Sequence, residues 1–180
     1  AGPAVPVVDL RVVDADGNDV PQGEIGELWI KGPNVVKGYW NKPEATEASF
    51  TKEGWFKSGD LVKMDEEGFV FILDRAKDML IRGGENIYSV EIEDVLYSHP
   101  AVMDAAIVGI PHKVLGEEVG AVVQIAGDAS VTEAELQEHV RGHLAAFKVP
   151  IKIDIRTEPL PRNANGKILK NELREQILQA

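Results

Sequence analysis

Hydrophobic and polar residues follow two successive patterns along the chain, and the change between them falls near residue 75. Residues 1–75 contain two strand-like runs, "VVDLRVVD" and "GELWIKG", which are joined by the turn-rich segment "DADGNDVPQGEIG". A short helix is expected to begin at Pro43, because proline fits the first turn of a helix. The segment "DLVKMDEEGFVFILD" predicts a hairpin whose tip is Asp65–Gly68. The first part is therefore predicted to be rich in β-structure.

Helices and strands alternate in the second part, residues 76–180. The runs "AAIVGI" and "GAVVQIAG" are typical of buried strands, and the alternation in "IKIDIR" predicts a strand with one buried face. Thr132 and Glu135 predict a capping box at the start of one helix. Ser89 predicts the N-cap of an earlier helix. We expect a compact α+β domain, since about a hundred residues are enough to fold independently.

Composition and charge narrow the possible classes of function. The formal net charge of −11 argues against nonspecific binding to nucleic acids, and the lack of cysteine excludes disulfides and thiolate chemistry. No stretch is apolar enough to span a bilayer, and the N-terminus has no signal-peptide pattern. The first residue is not methionine. We therefore expect a cytoplasmic piece of a longer protein, with no nucleic-acid partner and no transmembrane segment.

The turn between the first two predicted strands invites a calcium interpretation. Asp14, Asp16 and Asn18 have the spacing of the first ligands in an EF-hand loop. However, the sixth position of that loop is Asp19 where glycine is required, and the twelfth is Ile25 where glutamate is required. A polar hairpin is the better interpretation, and no metal ligand is assigned in this chain.

Asp60 ends the segment "GWFKSGD", where it follows a Ser-Gly bend at the head of a predicted strand. Taken alone, this placement is typical of an aspartate in a turn. A carboxylate held by a rigid turn can also accept hydrogen bonds from both vicinal hydroxyls of a ribose. The local sequence leaves both interpretations open.

Two further polar segments have the same ambiguity. The segment "DRAKDMLIRGGENIYS", residues 74–89, places Arg75 and Lys77 near a pair of glycines between the two parts of the chain. By itself it is typical of a solvated linker. In "AAFKVP", Phe147 and Lys148 place an aromatic ring and a cation at the end of a predicted helix. Alone, Phe147 is more typical of a core residue than of a stacking platform.

The segment "PRNANGKILK" presents Lys167 from a bend rich in asparagine and glycine. It is not a Walker phosphate loop, because the position five residues before Gly166 is Pro161 and the residue after the lysine is Ile168. A plain turn before a helix is the structural alternative. As a functional group, the lysine would act as a point charge whose anion is supplied by another surface.

In this order and spacing, these segments resemble the C-terminal third of the AMP-forming acyl-CoA synthetases. These enzymes belong to the adenylate-forming superfamily, with luciferases and the adenylation domains of peptide synthetases. The resemblance runs through "GELWIKGPNVVKGYWNKPEAT", "GWFKSGD", "DRAKDMLIRGGENIYSVEIE" and "PRNANGKILK". One departure is Ser-Gly-Asp at residues 58–60, where the family usually has Thr-Gly-Asp. The resemblance implies that residues 1–75 are the last, β-rich subdomain of the N-terminal AMP-binding domain. It also implies that residues 76–180 form the C-terminal lid domain.

The resemblance also implies a two-step reaction. A carboxylic acid, for example a fatty acid, attacks ATP to give acyl-AMP and pyrophosphate, and coenzyme A then displaces AMP. Asp60 is expected to hold the ribose hydroxyls, Arg75 to assist at the ribose or phosphate, and Lys167 to be the catalytic lysine of the first step. The Ser/Thr/Gly-rich phosphate loop and the Tyr-Gly-x-Thr-Glu segment of the family do not occur in this chain. We therefore expect the chain to be inactive alone, and Mg²⁺ and the acyl group to be bound by its missing N-terminal domain.

The resemblance also implies that the arrangement of the two domains changes between the two steps. Lys77 matches the hinge position of the family, and Gly83 and Gly84 match a passage for the pantetheine arm of coenzyme A. Phe147 could stack on the adenine of coenzyme A, and Lys148 could meet its phosphates.

Two alternatives remain open from the sequence alone. A peptide-synthetase adenylation domain would pass its acyl group to a carrier protein, and a carrier domain downstream in the gene would decide for it. A noncatalytic binding module is the other alternative, and it is favoured by the missing phosphate loop.

Overall fold

A computed structural model describes residues 1–127 and 129–179 of the chain. The backbone divides into two compact units, Ala1–Lys77 and Asp78–Ala180. Both units mix helices with strands, as the sequence predicts. Within the described ranges, every helix is too short or too polar to cross a membrane.

The first unit is built on a four-stranded antiparallel sheet in which neighbouring strands are consecutive in sequence. Val12, Leu28, Val62 and Val70 form its small core. The short helix begins at Pro43, as predicted. The elements are β1 (Asp9–Val13), β2 (Ile25–Lys31), α1 (Pro43–Ser49), β3 (Phe56–Met64) and β4 (Val70–Arg75).

Both polar turns of the first unit are confirmed as hairpin connections. Asp14 Oδ1 accepts the backbone N–H groups of Asp16 and Asn18, each at 2.9 Å. The hydrogen bond from the backbone of Asn18 is the main cause of the lowered pKa of Asp14. In the second turn, Asp65 Oδ1 accepts the N–H groups of Glu67 and Phe69. Residues 1–127 and 129–179 contain no group of three or more histidine, aspartate or glutamate side chains that could hold a metal ion.

The second unit is a mixed sheet with helices on both faces. The strand order is β6-β5-β8-β7, and β9 pairs in parallel with β8. A 3₁₀ turn, Ala146–Lys148, precedes β9. The elements are β5 (Leu80–Arg82), β6 (Glu85–Ile87), α2 (Ser89–Tyr97), β7 (Val102–His112), β8 (Gly116–Ile125), α3 (Glu133–Arg141), β9 (Lys152–Arg156) and α4 (Lys170–Gln179).

The long hairpin β7–β8 lies at the centre of this unit and is buried on both faces. Ala105 and Ile107 pack with α2 and α3 on one face, and Ala106 and Val108 pack with Leu173 and the rest of α4 on the other. Successive residues of a strand point to opposite faces, so burial of both faces requires an uninterrupted apolar run. This explains why "AAIVGI" does not alternate.

The two predicted helix caps have different outcomes. The capping box is confirmed, because Thr132 Oγ1 accepts the N–H of Glu135 and the Glu135 side chain accepts the N–H of Thr132. The N-cap prediction for Ser89 is wrong. Tyr88 is the N-cap of α2, and Ser89 is already helical and fully buried. The Ser89 hydroxyl accepts a hydrogen bond from Lys170 Nζ at 2.8 Å.

Candidate functional site

Asp60 lies inside strand β3 and not at its head, which corrects the placement predicted from the sequence. Residues 58–60 together stand opposite the single residue Leu28 of β2, so that the strand is bulged there. Gly59, with φ of +71°, supplies the backbone conformation that this bulge needs. A bulge of this kind bends the strand and increases its twist locally, here at the position of Asp60.

Side chains of the first unit fix the bulge. Glu27 Oε1 accepts the N–H of Gly59 at 3.0 Å. The Ser58 hydroxyl donates to the carbonyl of Leu28 at 2.7 Å and accepts the N–H of Asp60 at 3.1 Å. The hydroxyl that replaces the family's threonine therefore performs a structural role, and serine can supply it as well as threonine.

Arg75 completes this part of the site. It is the register partner of Asp60 across β3 and β4, and its Nε lies 2.9 Å from Asp60 Oδ1. The Nε–H bond is not aligned with that oxygen, so the contact is an ion pair and not a hydrogen bond. Nη2 donates to the carbonyl of Ser58 at 3.1 Å. The side chains of Asp60 and Arg75 are 29% and 41% exposed, which leaves a carboxylate and a guanidinium accessible to a ligand.

Lys167 lies in a tight loop of the second unit, between Pro161 and Leu169. Asn163 Oδ1 accepts the N–H groups of Asn165 and Lys167, each at 3.0 Å. The backbone of Asn163 is bonded to Lys167 and to Gly166, which has φ of +79°. The loop is therefore ordered by its own backbone, by the Asn163 side chain and by Arg162, which donates to the carbonyl of Gly166. The Lys167 side chain is exposed, and within residues 1–127 and 129–179 its ammonium group has no partner.

Gly83 and Gly84 are the two central residues of the hairpin turn between β5 and β6. The register pairs Arg82 with Glu85, and the φ angles of the glycines are +60° and +90°. Positive φ at both central residues defines a type I′ turn, which strongly favours glycine. The N–H of Gly83 donates to the carbonyl of Leu115 at 2.8 Å. A Cβ at Gly84 would meet no heavy atom within 4 Å, so this side of the turn is open.

The turn is held by an ion pair that precedes it. Arg82 donates two hydrogen bonds to the nearly buried carboxylate of Glu118, at 2.7 and 3.1 Å. These bonds raise the pKa of the Arg82 guanidinium above its ordinary value. Arg82 is thus committed to Glu118 and secures β5 against β8.

Phe147 and Lys148 lie in the 3₁₀ turn of the second unit. Phe147 is partly buried and packs against the main core of the unit. Lys148 Nζ is paired with Glu91 Oε2 at 2.5 Å and lies 5.8 Å from the centroid of the Phe147 ring. Both side chains therefore have structural contacts, and their role towards coenzyme A remains a prediction.

The structure keeps the candidate residues of the second unit apart. Arg82, next to the glycine turn, pairs with Gly116 on β8, whereas Asp104, which contacts the Lys167 loop through Arg162, pairs with Gln124. Gln124 follows Gly116 by eight positions on β8, which corresponds to about 27 Å of strand. The glycine turn and the Lys167 loop are therefore attached at opposite ends of the β7–β8 hairpin.

Asp104 and Arg162 join strand β7 to the Lys167 loop, and the sequence analysis did not single them out. The two side chains are 58 residues apart in sequence, so that no local spacing relates them. The one signal in the sequence is that Asp104 directly precedes the apolar run "AAIVGI", where a charged side chain is expected to need a partner.

Two protein-family models match the chain. The model described as AMP-binding enzyme C-terminal domain matches residues 91–167. The model described as AMP-binding enzyme matches residues 1–40. The first match lies within the second unit and the second match within the first unit, so that each compact unit carries one of the two.

Several proteins are similar to the chain over nearly its whole length. A long-chain-fatty-acid–CoA ligase of Yersinia pestis is 46% identical over 97% of the chain. A feruloyl-CoA synthase of an Amycolatopsis species is 45% identical over 94% of it. The chain spans about a third of these relatives, 31% and 34% of their lengths.

A solved structure shares the fold. The crystal structure of ATP-bound MatB from Rhodopseudomonas palustris matches 97% of the chain with a TM-score of 0.88 and 46% sequence identity. The match covers 35% of the MatB chain. The similarity therefore extends over both units of this chain and over one third of the larger protein.

Proposed function

Since the chain belongs to the family of AMP-binding enzymes, we propose that it is the C-terminal part of an AMP-forming acyl-CoA ligase. Residues 1–75 are the last subdomain of the AMP-binding domain, and residues 76–180 are the lid domain. The named relatives act on a long-chain fatty acid or form feruloyl-CoA, and both names specify a coenzyme A product. The proposed substrates are accordingly a carboxylic acid, with fatty acids as the first candidates, ATP and coenzyme A.

In the first half-reaction, an oxygen of the substrate carboxylate attacks the α-phosphorus of ATP, and pyrophosphate leaves. The carboxylate of Asp60 accepts hydrogen bonds from the ribose hydroxyls, since within the described residues Oδ2 has no hydrogen-bond partner and the side chain is accessible. Arg75 holds Asp60 through Oδ1 and presents its remaining donors to the ribose or the α-phosphate.

Lys167 supplies the positive charge for this step. Negative charge grows on the oxygens between the carboxylate and the α-phosphate, and a fixed ammonium group stabilises the transition state most when water is excluded. The ammonium of Lys167 is exposed and without a partner in the described part of the chain, so no internal ion pair has to be broken before it acts.

In the second half-reaction, the sulfur of coenzyme A attacks the acyl carbon of acyl-AMP, and AMP leaves. Gly83 and Gly84 line the passage of the pantetheine arm, because the absence of side chains leaves one side of their turn open. Phe147 and Lys148 meet the adenine and phosphates of coenzyme A, and this requires Lys148 to exchange or share its contact with Glu91. Mg²⁺ is held by the part of the enzyme that lies outside this chain.

The attachment of Lys167 and the glycine turn at opposite ends of β7–β8 is the observation that carries this proposal. Attachment points about 27 Å apart along the strand favour the presentation of one end at a time to the same nucleotide. The lid domain therefore rotates between the half-reactions, and residues 75–78 with Lys77 are the hinge. A few backbone torsions are enough to allow such a rotation.

Replacement of the lysine tests the proposal. In the complete enzyme, Lys167→Ala is expected to slow adenylation, measured as pyrophosphate release, by about 10²–10³-fold, as for other preorganised donors. Formation of the thioester from supplied acyl-AMP should be unchanged. Lys113→Ala, which removes another exposed lysine of the same unit, is the control and should leave adenylation intact. Equal loss in both half-reactions would make Lys167 a structural residue.

A further inference from the structure

The loop that carries Lys167 is tied to the body of the second unit on both sides of the lysine. Its own hydrogen bonds through Asn163 fix the shape of the loop. They do not fix where the loop sits on the domain. The apolar side chains of Leu160 and Ile168 hold the loop on the core. Two cations that flank Lys167 in the sequence, Arg162 and Lys170, also fasten it through the carboxylates that receive them.

The first contact is made by Arg162 through both ends of its guanidinium. Nη2 forms an ion pair with Asp104 Oδ2 at 2.5 Å, and Nη1 donates to the carbonyl of Gly166 at 2.6 Å. Asp104 is nearly buried and also accepts the hydroxyl of Tyr97 and the N–H of Ala105. A single guanidinium therefore joins strand β7 to the residue immediately before Lys167.

The second contact is made by Lys170 at the start of α4. Its Nζ lies 2.7 Å from Glu93 Oε1 and donates to the Ser89 hydroxyl at 2.8 Å. The same carboxylate oxygen accepts the N–H of Ile107 on β7 at 2.8 Å. The side chains of Glu93 and Lys170 are 14% and 20% exposed, so this pair is largely shielded from water.

One face of helix α2 serves both contacts. Ser89, Glu93 and Tyr97 are spaced four residues apart, which places them in a row along the helix. Ser89 and Glu93 receive Lys170, and Tyr97 supports the aspartate that receives Arg162. The row is polar although it lies beside the apolar face of α2, which includes the fully buried Ile92 and Leu96.

The stability of the packed core alone does not explain why charged and polar residues occupy this row. Shielded charges are often no more stabilising than apolar residues of the same size, whereas removing one partner of a shielded pair is strongly unfavourable. Paired charges with two or more hydrogen bonds do fix geometry. A lysine side chain has several rotatable bonds, so its ammonium group is aimed only if its backbone is held firmly.

We infer that Arg162 and Lys170 are positioning residues for Lys167, acting with Asp104 and Glu93 as a two-point clamp on the loop. The inference rests on the proposed function of Lys167 in adenylation. The clamp holds the loop at the distance and orientation from which the ammonium reaches the developing charge, and Arg162 and Lys170 themselves touch no substrate.

Arg162→Ala in the complete enzyme is the first test. We expect adenylation to fall by roughly 10- to 100-fold, because a displacement of about 1 Å at a reacting group costs up to about 100-fold in rate. Thioester formation from supplied acyl-AMP should be unchanged, since Lys167 takes no part in it. Hydrogen exchange in peptides covering residues 161–169 should become faster.

The same change in a Lys167→Ala background is the decisive measurement. A residue that acts only through Lys167 has no effect once the lysine is gone, so Arg162→Ala should then lower adenylation by less than about 2-fold. Lys170→Met, which keeps much of the side-chain volume, should follow Arg162→Ala. It should slow adenylation when Lys167 is present and have almost no effect in the Lys167→Ala background. A full further loss in the Lys167→Ala background would overturn the clamp.

Two more variants separate positioning from general stability. Arg174→Ala breaks an ion pair with Glu117 in the same unit, and the Arg174 side chain is 42% exposed against 44% for Arg162. It should leave adenylation intact. Arg162→Lys keeps one charge but cannot reach Asp104 and the carbonyl of Gly166 together, so an intermediate loss is expected. This conservative variant also serves if Arg162→Ala does not fold.

The outcomes distinguish a failure of the proposed function of Lys167 from a failure of the clamp. If Lys167→Ala itself retains adenylation, the proposed function of the lysine is wrong. If Lys167→Ala loses adenylation while Arg162→Ala and Lys170→Met retain it, the proposed function stands and the clamp is wrong. Proportional loss of both half-reactions in the folded Arg162→Ala enzyme would also overturn the clamp.

Discussion

At the scale of single residues, Tyr97 shows how burial and a neighbouring carboxylate together shift a pKa. Burial raises the pKa of the Tyr97 hydroxyl to about 12, and the hydrogen bond that it donates to Asp104 adds to the effect. Both causes favour the neutral phenol, since ionisation would place a second negative charge beside Asp104. The Tyr97 hydroxyl is therefore a donor throughout the physiological pH range.

A pH dependence of stability follows from this shift. The folded-state pKa is raised above the ordinary value of 10, so the stabilisation is complete below about pH 10 and is lost as the pH rises towards about 12. Tyr97→Phe should remove this part of the alkaline loss, worth about 1 kcal/mol or less because the residue is 44% exposed and solvent screens the interaction. Urea unfolding of the 180-residue chain between pH 9 and 12 measures it.

Tyr88→Phe is the matched control for that measurement. Tyr88 precedes α2 in the same unit, and in the described part of the chain its hydroxyl has no hydrogen-bond partner. The control should reproduce the alkaline behaviour of the wild-type chain. If the unfolding free energies of Tyr97→Phe and Tyr88→Phe fall equally steeply above pH 10, the pKa of Tyr97 is not raised on folding.

The candidate site is only partly predictable at the residue scale. Asp60, Arg75 and Lys167 stand in short polar motifs, so the sequence analysis could single them out and the structure brings Asp60 and Arg75 together. The clamp residues have no such motif. Lys170 meets Ser89 across 81 residues of sequence, and only the folded chain brings this pair together.

At the scale of elements, the glycine turn between β5 and β6 has two requirements, one conformational and one steric. Substitutions that satisfy one but not the other can distinguish them. Its type I′ conformation needs positive φ, which asparagine tolerates better than alanine. The proposed passage for pantetheine needs the absence of a side chain, and asparagine is the larger of the two. Stability and thioester formation should therefore rank the two substitutions differently.

Gly83→Ala and Gly83→Asn test this separation. The alanine variant should lose about 1–2 kcal/mol of unfolding free energy at φ of +60°, and the asparagine variant less. Either Cβ meets Leu115 Cδ2 at 3.3 Å, so this contact is the same in both variants. In the complete enzyme, thioester formation should fall at least as far with asparagine as with alanine. If thioester formation instead falls further with alanine than with asparagine, as the stability does, the proposed passage is wrong.

Elements themselves were largely predictable because their signals are local. The hairpin tip at Asp65–Gly68 and the Thr132–Glu135 capping box depend on residues within a few positions of each other. The errors arose where a distant partner changed a local preference. Ser89 has a good capping side chain, but Lys170 engages its hydroxyl, and Asp60 lies in a bulge that the facing strand β2 defines.

At the scale of the whole molecule, the chain combines two compact units with a short connection. Ala76, Lys77 and Asp78 form a turn after β4, and the Lys77 side chain is exposed. Within the described ranges, the backbone N–H of Lys77 donates no hydrogen bond. The connection is therefore not fixed by its own hydrogen bonds at this residue, which suits a hinge whose torsions must change between half-reactions.

Lys77→Pro tests the hinge in the complete enzyme. Proline fixes φ near about −65° and restricts the preceding residue, Ala76, but it removes no hydrogen bond that the N–H of Lys77 makes in the described structure. One domain arrangement should be trapped while both cores stay intact. We expect adenylation to survive and thioester formation to collapse, since the arrangement reached first is the one that proline would freeze.

Lys77→Ala, which removes the side chain without fixing φ, should keep both half-reactions. With melting temperature as the folding control, a folded proline variant that keeps both rates, or loses both in proportion, would show that Lys77 is not the hinge.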